Sequence, residues 1–256
     1  MSSKIVNIVV NITYYPRLVI DWLLYLSVKR GNNHGLLNKI KNSDCFIVGN
    51  GPSLNITPLD RLNRPSIGMN KINLIFDKTT WRPDIIVCVN GLVIKQNLDF
   101  FNSTDIPLVL PVKSLYLGIK KRPNIYFIRQ SDTITFSNNI DKPIGVGSTV
   151  TYACFQIAAS AKVKSISLVG VDHSFQFTGK KHEIQLHSED DNNHFDPNYF
   201  KGNLWGLPDL DGSEKAYSIA KSYFDAISVP VIDYTINGKL NVFTKGDIND
   251  IISNKL

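Results

Sequence analysis

At 256 residues, with 43% apolar and 20% charged side chains, the chain has the length and composition of one globular domain, or of one domain with an appendage. Its three cysteines, odd in number and without metal-ligand spacing, exclude a disulfide-built secreted scaffold and point to reduced thiols in a cytoplasmic setting. A net charge of +6 suits an anionic partner, yet no basic helix or aromatic-basic strand motif accompanies it, so a nucleic acid is not expected.

Residues 1–42 stand apart as an N-terminal segment with an amphipathic helical pattern. The run from Pro16 to Leu26 is strongly apolar, is interrupted by Arg17 and Asp21, and is followed by Lys29, Arg30, Lys39 and Lys41. It is too short and too charged to cross a membrane comfortably, and no small-residue cleavage site follows it. Two readings stay open: a helix lying on an anionic membrane surface, or a helix docked on the domain or on a second copy of the chain in a homo-oligomer.

From residue 43 to 256 strands alternate with helices. Short apolar runs predict strands over 44–49, 65–69, 84–90, 107–112, 124–129, 165–171 and 229–234. Helices are predicted over 57–63, 71–78, 92–102, 113–119, 148–163, 213–227 and 245–254. The alternation implies an α/β, Rossmann-like, mostly parallel sheet with helices on both faces. Cys45, Cys88 and Cys154 sit within apolar runs and are expected in the core. The interval 174–212 fits neither period, and its six aromatic residues disfavour plain disorder. It is expected to be a lid over the active site.

In such a sheet, ligands bind beyond the carboxyl ends of the strands. The first strand runs into Gly49-Asn50-Gly51-Pro52-Ser53, which reads equally as an ordinary turn or as a phosphate loop; it matches neither the Walker pattern nor G-x-G-x-x-G. The second and third strands end at Asn70 and Asn90, whose amides can donate to and accept from a base edge or a ribose. Ser148 and Thr149 open a helix, where they cap it and where the free amides can also hold a phosphate. Asp172 and His173 follow the strand at 165–171 and read as either structural or functional. The lid adds His182, His187, Asp190, Asp191, His194 and Asp196. No zinc spacing is present, so a metal site is not assigned; a single His acting as general base, oriented by a carboxylate, requires fewer coincidences.

The run Ile47-Val48-Gly49-Asn50-Gly51-Pro52-Ser53-Leu54, together with Asn70, Asn90, the block from Ser148 to Asp172, and Asp190-Asp191-Asn192-Asn193-His194-Phe195, resembles the bacterial sialyltransferases of glycosyltransferase family 42. It is also similar to the related domain of motility-accessory-factor proteins and of 6-hydroxymethylpterin pyrophosphokinases, over roughly residues 44–236. The resemblance implies that the first turn, Asn70 and Asn90 bind a cytidine nucleotide sugar near Ser148 and Thr149, without metal or other cofactor, and that a lid tyrosine, by position Tyr199, faces the phosphate. The family's base lies four residues beyond the histidine of its Asn-Ser-His-Tyr segment, where this chain has Asn198, so His194 or else His173 would take that role.

The expectation is therefore a glycosyltransferase passing a sugar, such as a nonulosonic acid, from a CMP donor to a surface glycan or glycolipid, at the cytoplasmic face of the inner membrane. Two alternatives stay open. One is an ATP-dependent hydroxymethylpterin-type pyrophosphokinase with magnesium on Asp172, Asp190 and Asp191; the other is a non-catalytic nucleotide- or glycan-binding module.

Overall fold

The computed structural model describes residues 19–28 and 34–252. A helix over residues 19–28 (α1) and a short one, His34–Leu37 (α2), precede the sheet. Strands β1 (Asp44–Val48), β2 (Ser66–Met69), β3 (Ile85–Val87), β4 (Leu108–Pro111) and β5 (Ile125–Ile128) follow in order. Helices α3 (Gly91–Gln96) and α4 (Leu98–Ser103) lie between β3 and β4. The short strands β6 (Gln130–Ser131) and β7 (Ile144–Gly145) pair with each other before α5 (Val150–Ser160) leads to β8 (Ser165–Val169). The chain then forms β9 (Ile184–His187), β10 (Asn203–Gly206), α6 (Leu210–Ala226), β11 (Val231–Asp233) and β12 (Thr244–Lys245).

The eight-stranded sheet runs β12-β11-β8-β1-β2-β3-β4-β5, and every pairing in it is parallel. The α/β, Rossmann-like expectation holds. The central strands are mostly apolar because both faces are covered, and alternate residues enter two cores. Cys45 and Ile47 of β1 pack with α5 and α6 on one face, whereas Phe46 and Val48 pack with α1, α3, α4 and the lid on the other. Helix α6 follows its period of 3.6 faithfully, burying Ser213, Ala216, Tyr217, Ala220 and Phe224 along one stripe. All three cysteines are buried and unoxidised. Leu36, Leu37 and Ile40, ahead of β1, are already in the first core.

The expected strands appear, and the helices at 148–163 and 213–227 become α5 and α6. Three corrections follow. The segments 57–63, 71–78 and 113–119 form tight 3-10 turns rather than α-helices, because each has only to carry the chain between adjacent parallel strands. The segment 92–102 breaks at Asn97 into α3 and α4. The expected C-terminal helix over 245–254 is reduced in its described part to a 3-10 turn, Ile248–Asp250: Thr244 pairs with Ile232 as edge strand β12, and Lys245 Nζ reaches the buried Asp233 carboxylate at 2.6 Å. Residues 253–254 of that helix, and Pro16, Arg17, Lys29 and Arg30 of the N-terminal segment, lie outside the described residues.

The segment 174–212, expected as a lid, is built around an antiparallel ribbon, Leu186 opposite Leu204 and Gln185 opposite Trp205. Its aromatic residues Phe195, Tyr199, Phe200 and Trp205 are buried in the second core. The excursion between β5 and α5 is tied down by Gln156, wholly buried on α5. Its Oε1 accepts from the amides of Ser137 and Gly145 at 3.0 Å each, and its Nε2 donates to the Gly145 carbonyl at 2.8 Å. Gln156→Leu would strand these buried backbone groups, each worth about 1–3 kcal/mol. We expect a loss of about 2–4 kcal/mol in urea unfolding at unchanged m-value.

Candidate active site

The chain walks from β1 out to β5, then returns through α5 to β8 on the other side of β1. The carboxyl ends of β1 and β8 therefore flank the switch point where such sheets open a crevice. The two turns there are stitched together: Gly49 N donates to Val169 O at 2.8 Å and Gly51 N to Gly170 O at 2.9 Å. Contact is so close that a Cβ on Gly49 would overlap the Gly170 carbonyl, and one on Gly51 would overlap the Asp172 carboxylate. That carboxylate accepts from Ser53 N at 3.0 Å and from Ser53 Oγ at 2.7 Å. Burial raises the Asp172 carboxyl above its ordinary value, against the pull of the two Ser53 hydrogen bonds.

A cavity of about 730 Å³ opens above these turns. Gly49, Asn50, Gly51, Asn70, Asn90, Ser148, Thr149, Asp172, His173 and His194 all line it, so most of the residues singled out in the sequence meet on one surface. Pro52 and Ser53 do not; they start the 3-10 turn Pro52–Ile56 behind it. Asn50 donates through Nδ2 to Met69 O at 3.0 Å, which orients its Oδ1 away from that carbonyl. The Oδ1 atoms of Asn50 and Asn70 are both buried without a hydrogen-bond partner. Two such acceptors on one cavity call for a donor from outside the chain, such as a base amine or a ribose hydroxyl. Asn90 uses its Oδ1 to cap α3, accepting from Leu92 N at 2.9 Å, so its Nδ2 is what it can offer a ligand.

Four residues of the lining, Asn70, Ser148, His173 and His182, have left-handed backbones with φ of 52°, 58°, 53° and 65°. Non-glycine residues in that region carry strain, and strain of this kind collects at functional sites. Thr149 caps α5, accepting from Thr151 N at 3.3 Å, and no acidic residue stands in the first turn. The positive end of α5 thus faces the cavity free of carboxylate competition from its own turn.

His194 has the surroundings of a base. Its Nδ1 lies 2.8 Å from Asp191 Oδ2, and the two side chains are only 11% and 2% exposed. The imidazole is stacked on Tyr199, with centroids 4.0 Å apart and an interplanar angle of 5°. Because Nδ1 faces the carboxylate, it carries the proton, and Nε2 is the nitrogen left to accept one. Burial would raise the Asp191 carboxyl, but the hydrogen bond and charge of His194, with the Asn193 amide, outweigh it and hold the group below its ordinary value. Asp191 was visible in the sequence only as one member of the lid's acidic cluster; its signal was the i, i+3 spacing to His194.

Tyr199 requires a correction. It is wholly buried and does not line the cavity; its hydroxyl accepts from Lys71 N at 3.2 Å. In this arrangement it supports the imidazole from beneath and does not face a phosphate. Lys71, also buried, donates through Nζ to Tyr199 O at 2.5 Å, and burial pushes its ammonium down to about 8 despite the nearby Asp191 charge. Asp172 and His173 do not pair: His173 Nε2 instead meets Glu214 Oε1 at 3.1 Å. On that side Asp209 caps α6 through Gly212 N at 3.1 Å and gathers His182 at 3.2 Å, Lys181 at 3.4 Å and Ser148 Oγ at 3.5 Å. Sequence reasoning missed Asp209, which ties the lid to the mouth of α5. Asp172, Asp190 and Asp191 do not converge: they engage Ser53, Lys201 (2.6 Å) and His194 respectively. Among the described residues no group of three or more His, Cys, Asp or Glu is arranged to hold a metal ion.

The model of one protein family, described as 6-hydroxymethylpterin diphosphokinase MptE-like, matches residues 27–178. No curated protein matches. Among solved structures, the MAf glycosyltransferase from Magnetospirillum magneticum AMB-1 is similar with a TM-score of 0.55 at 14% identity, covering 84% of this chain. The chain spans 35% of that protein. The sialyltransferase CstII from Campylobacter jejuni, in complex with CMP-3FNeuAc, is similar with a TM-score of 0.46 at 13% identity, covering 84% of this chain and 89% of that one. The likeness to the MAf glycosyltransferase is one of fold alone.

Proposed function

Since the chain belongs to the MptE-like family, whose model spans more than half of it, we propose that the cavity between β1 and β8 is a nucleotide-dependent transfer site and that the group moved is a sugar. The observation that carries this reading is the Asp191–His194 pair on the same cavity as the Gly49–Gly51 turn and the N-terminus of α5. A base and an anion-binding helix end around one space are what transfer from a sugar phosphate to a hydroxyl requires.

In this mechanism His194 Nε2 takes the proton of the acceptor hydroxyl as its oxygen attacks the anomeric carbon. The bond from that carbon to the phosphate oxygen breaks, and its electron pair leaves on the nucleotide. Asp191 stabilises the imidazolium that forms, and the α5 amides with the Ser148 and Thr149 hydroxyls receive the growing phosphate charge. Asn50, Asn70 and Asn90 hold the nucleoside. The lid excludes water, because hydrolysis is the competing reaction. The donor is a CMP-linked sugar such as a nonulosonic acid, and the acceptor a glycan or glycolipid. His173 is the second choice of base, backed by the half-exposed Glu214. Division of the chain into an N-terminal segment and a catalytic domain with a lid belongs to the same reading. So does peripheral contact with the cytoplasmic face of a membrane, supported by Val19, Ile20, Trp22, Leu23 and Leu26, all about half exposed on α1. No helix among the described residues is long and apolar enough to cross a membrane.

The family's name favours a second reading, diphosphate transfer from ATP to a hydroxymethyl heterocycle. The magnesium it calls for does not fit Asp172, Asp190 and Asp191, which point to three different partners. Thermal-shift measurements with CMP, CDP, UDP, GDP, and ATP with magnesium separate the two. CMP at about a hundred times its dissociation constant should add about 2.7 kcal/mol, a rise of about 5–10 °C. A shift with ATP and magnesium but none with CMP would replace transfer of sugar by transfer of diphosphate.

A further inference from the structure

A second groove, of about 370 Å³, runs beneath α1. Its walls are apolar: Val19 and Trp22 of α1, Pro111 and Val112 at the end of β4, Ile128 of β5, and Pro143. Two cations border it. Lys113 is answered by Asp21 at 3.3 Å. Arg129 lies over the ring of Tyr25 at 5.0 Å and donates through Nη2 to Asp141 O at 3.0 Å, but its Nε is buried without an acceptor. A permanent cation on the border of an apolar groove, with one N–H left without an acceptor, suits an anion carried by an apolar molecule.

The groove lies next to the central cavity, on the other side of a shared wall. Gln130 lines the groove and the next residue, Ser131, lines the central cavity. Gln130 Nε2 donates at 3.1 Å to the carbonyl of Val89, itself a wall residue of the cavity. Over the groove, α1 turns Ile20, Leu23 and Leu26 outward, half exposed, which is where a hydrocarbon chain would arrive from a membrane surface.

We propose that this groove binds the hydrocarbon chain of a phosphate-bearing amphiphile, the lipid-linked acceptor of the transferred sugar, with the Arg129 guanidinium on the phosphate and the acceptor hydroxyl reaching past Gln130 toward the cavity. This assignment rests on the transfer reading of the cavity and names its acceptor class. The chain lies between Trp22 and the Pro111–Val112 corner, burying apolar surface that α1 leaves open.

The test is isothermal titration of the full chain with dodecyl phosphate below its critical micelle concentration, with dodecyl maltoside and inorganic phosphate as controls. It compares wild type, Arg129→Gln and Val19→Asp; Val19 is 54% exposed, so a charge there blocks the groove without entering the core. Dodecyl phosphate should bind saturably to wild type, about tenfold more weakly to R129Q and undetectably to V19D, while dodecyl maltoside binds at least about tenfold more weakly and inorganic phosphate does not bind. Equal binding to all three proteins, or binding of inorganic phosphate matching that of dodecyl phosphate, overturns the assignment. So does a concentration-dependent dimer that V19D abolishes and dodecyl phosphate leaves intact, since a second copy then occupies the groove. CMP thermal shifts on the same proteins separate the two readings. Discrimination of the amphiphile without any CMP shift removes the transfer mechanism and keeps the groove; a CMP shift without discrimination does the reverse.

Discussion

His194→Gln should lower sugar transfer by about 10²- to 10⁴-fold, the usual contribution of a general base, while leaving the fold and CMP binding in place. Glutamine keeps the volume of the imidazole and can still meet Asp191, so the loss reports chemistry. The imidazole is held on three sides, by Asp191 at 2.8 Å, by the stacked Tyr199 ring and by the edge of Phe200. An imidazole held in this way is oriented in advance, so on the proposed mechanism little of the barrier is spent on arranging it. Asp191→Asn should cost transfer at least about tenfold, because it removes the charge that answers the imidazolium. It also has a signature in stability. The Asp191 carboxyl is held below its ordinary value of 3.8, so its stabilising contribution is present above that pH and is lost as pH falls through the depressed value. Wild type should therefore be more stable than D191N at neutral pH, and the gap should close below about pH 3.8 in urea unfolding followed by circular dichroism. A gap that stays constant down to pH 2 would contradict the pairing.

Gly51→Ala should destabilise the chain by about 2–4 kcal/mol and weaken CMP binding by at least about tenfold. The added methyl would take the place of the Asp172 carboxylate and push it off Ser53, leaving the Ser53 amide without its acceptor. The clash is with one side chain, so removing that side chain should relieve it. G51A combined with Asp172→Ala should therefore be less destabilised than the sum of the two single variants, a coupling of about 1 kcal/mol or more. Additivity in this cycle would show that the turn tolerates the methyl by another route. Gly49→Ala has no such remedy, because its methyl meets the Gly170 backbone carbonyl, and it should cost more than G51A.

The sheet was legible in the sequence because strands buried on both faces are mostly apolar, and the runs Cys45–Val48, Ile67–Met69, Leu108–Pro111 and Leu168–Val169 stand out as such. The connections were less legible. Periodicity suggested α-helices at 57–63, 71–78 and 113–119, but the crossovers between these neighbouring parallel strands hold 3-10 turns instead. Most of the candidate site was legible from a single rule, that strand ends share one edge, which brings Asn50, Asn70, Asn90, Ser148, Asp172 and His173 to one cavity.

What stayed hidden was which partner each side chain takes. Asp172 looked like the neighbour of His173, yet it reaches 119 positions back to Ser53, while His173 crosses to Glu214 on α6. Tyr199 looked like a phosphate ligand and proved to be the floor under His194. Such pairings depend on side-chain direction across elements far apart in the chain, which no local pattern encodes. Arg129 and its groove could not be read at all, since α1 and the end of β5 meet only in the folded chain.

The most direct test is a crystal structure of the full chain with CMP and with a non-transferable 3-fluoro CMP-sugar. The account predicts the nucleoside against Asn50, Asn70 and Asn90, the phosphate about 2.7–3.1 Å from amides of the first turn of α5, and the sugar's anomeric carbon on the side of His194 Nε2. A nucleotide bound away from the β1–β8 crossing, or a sugar turned toward His173 and Glu214 with His194 out of reach, would contradict it.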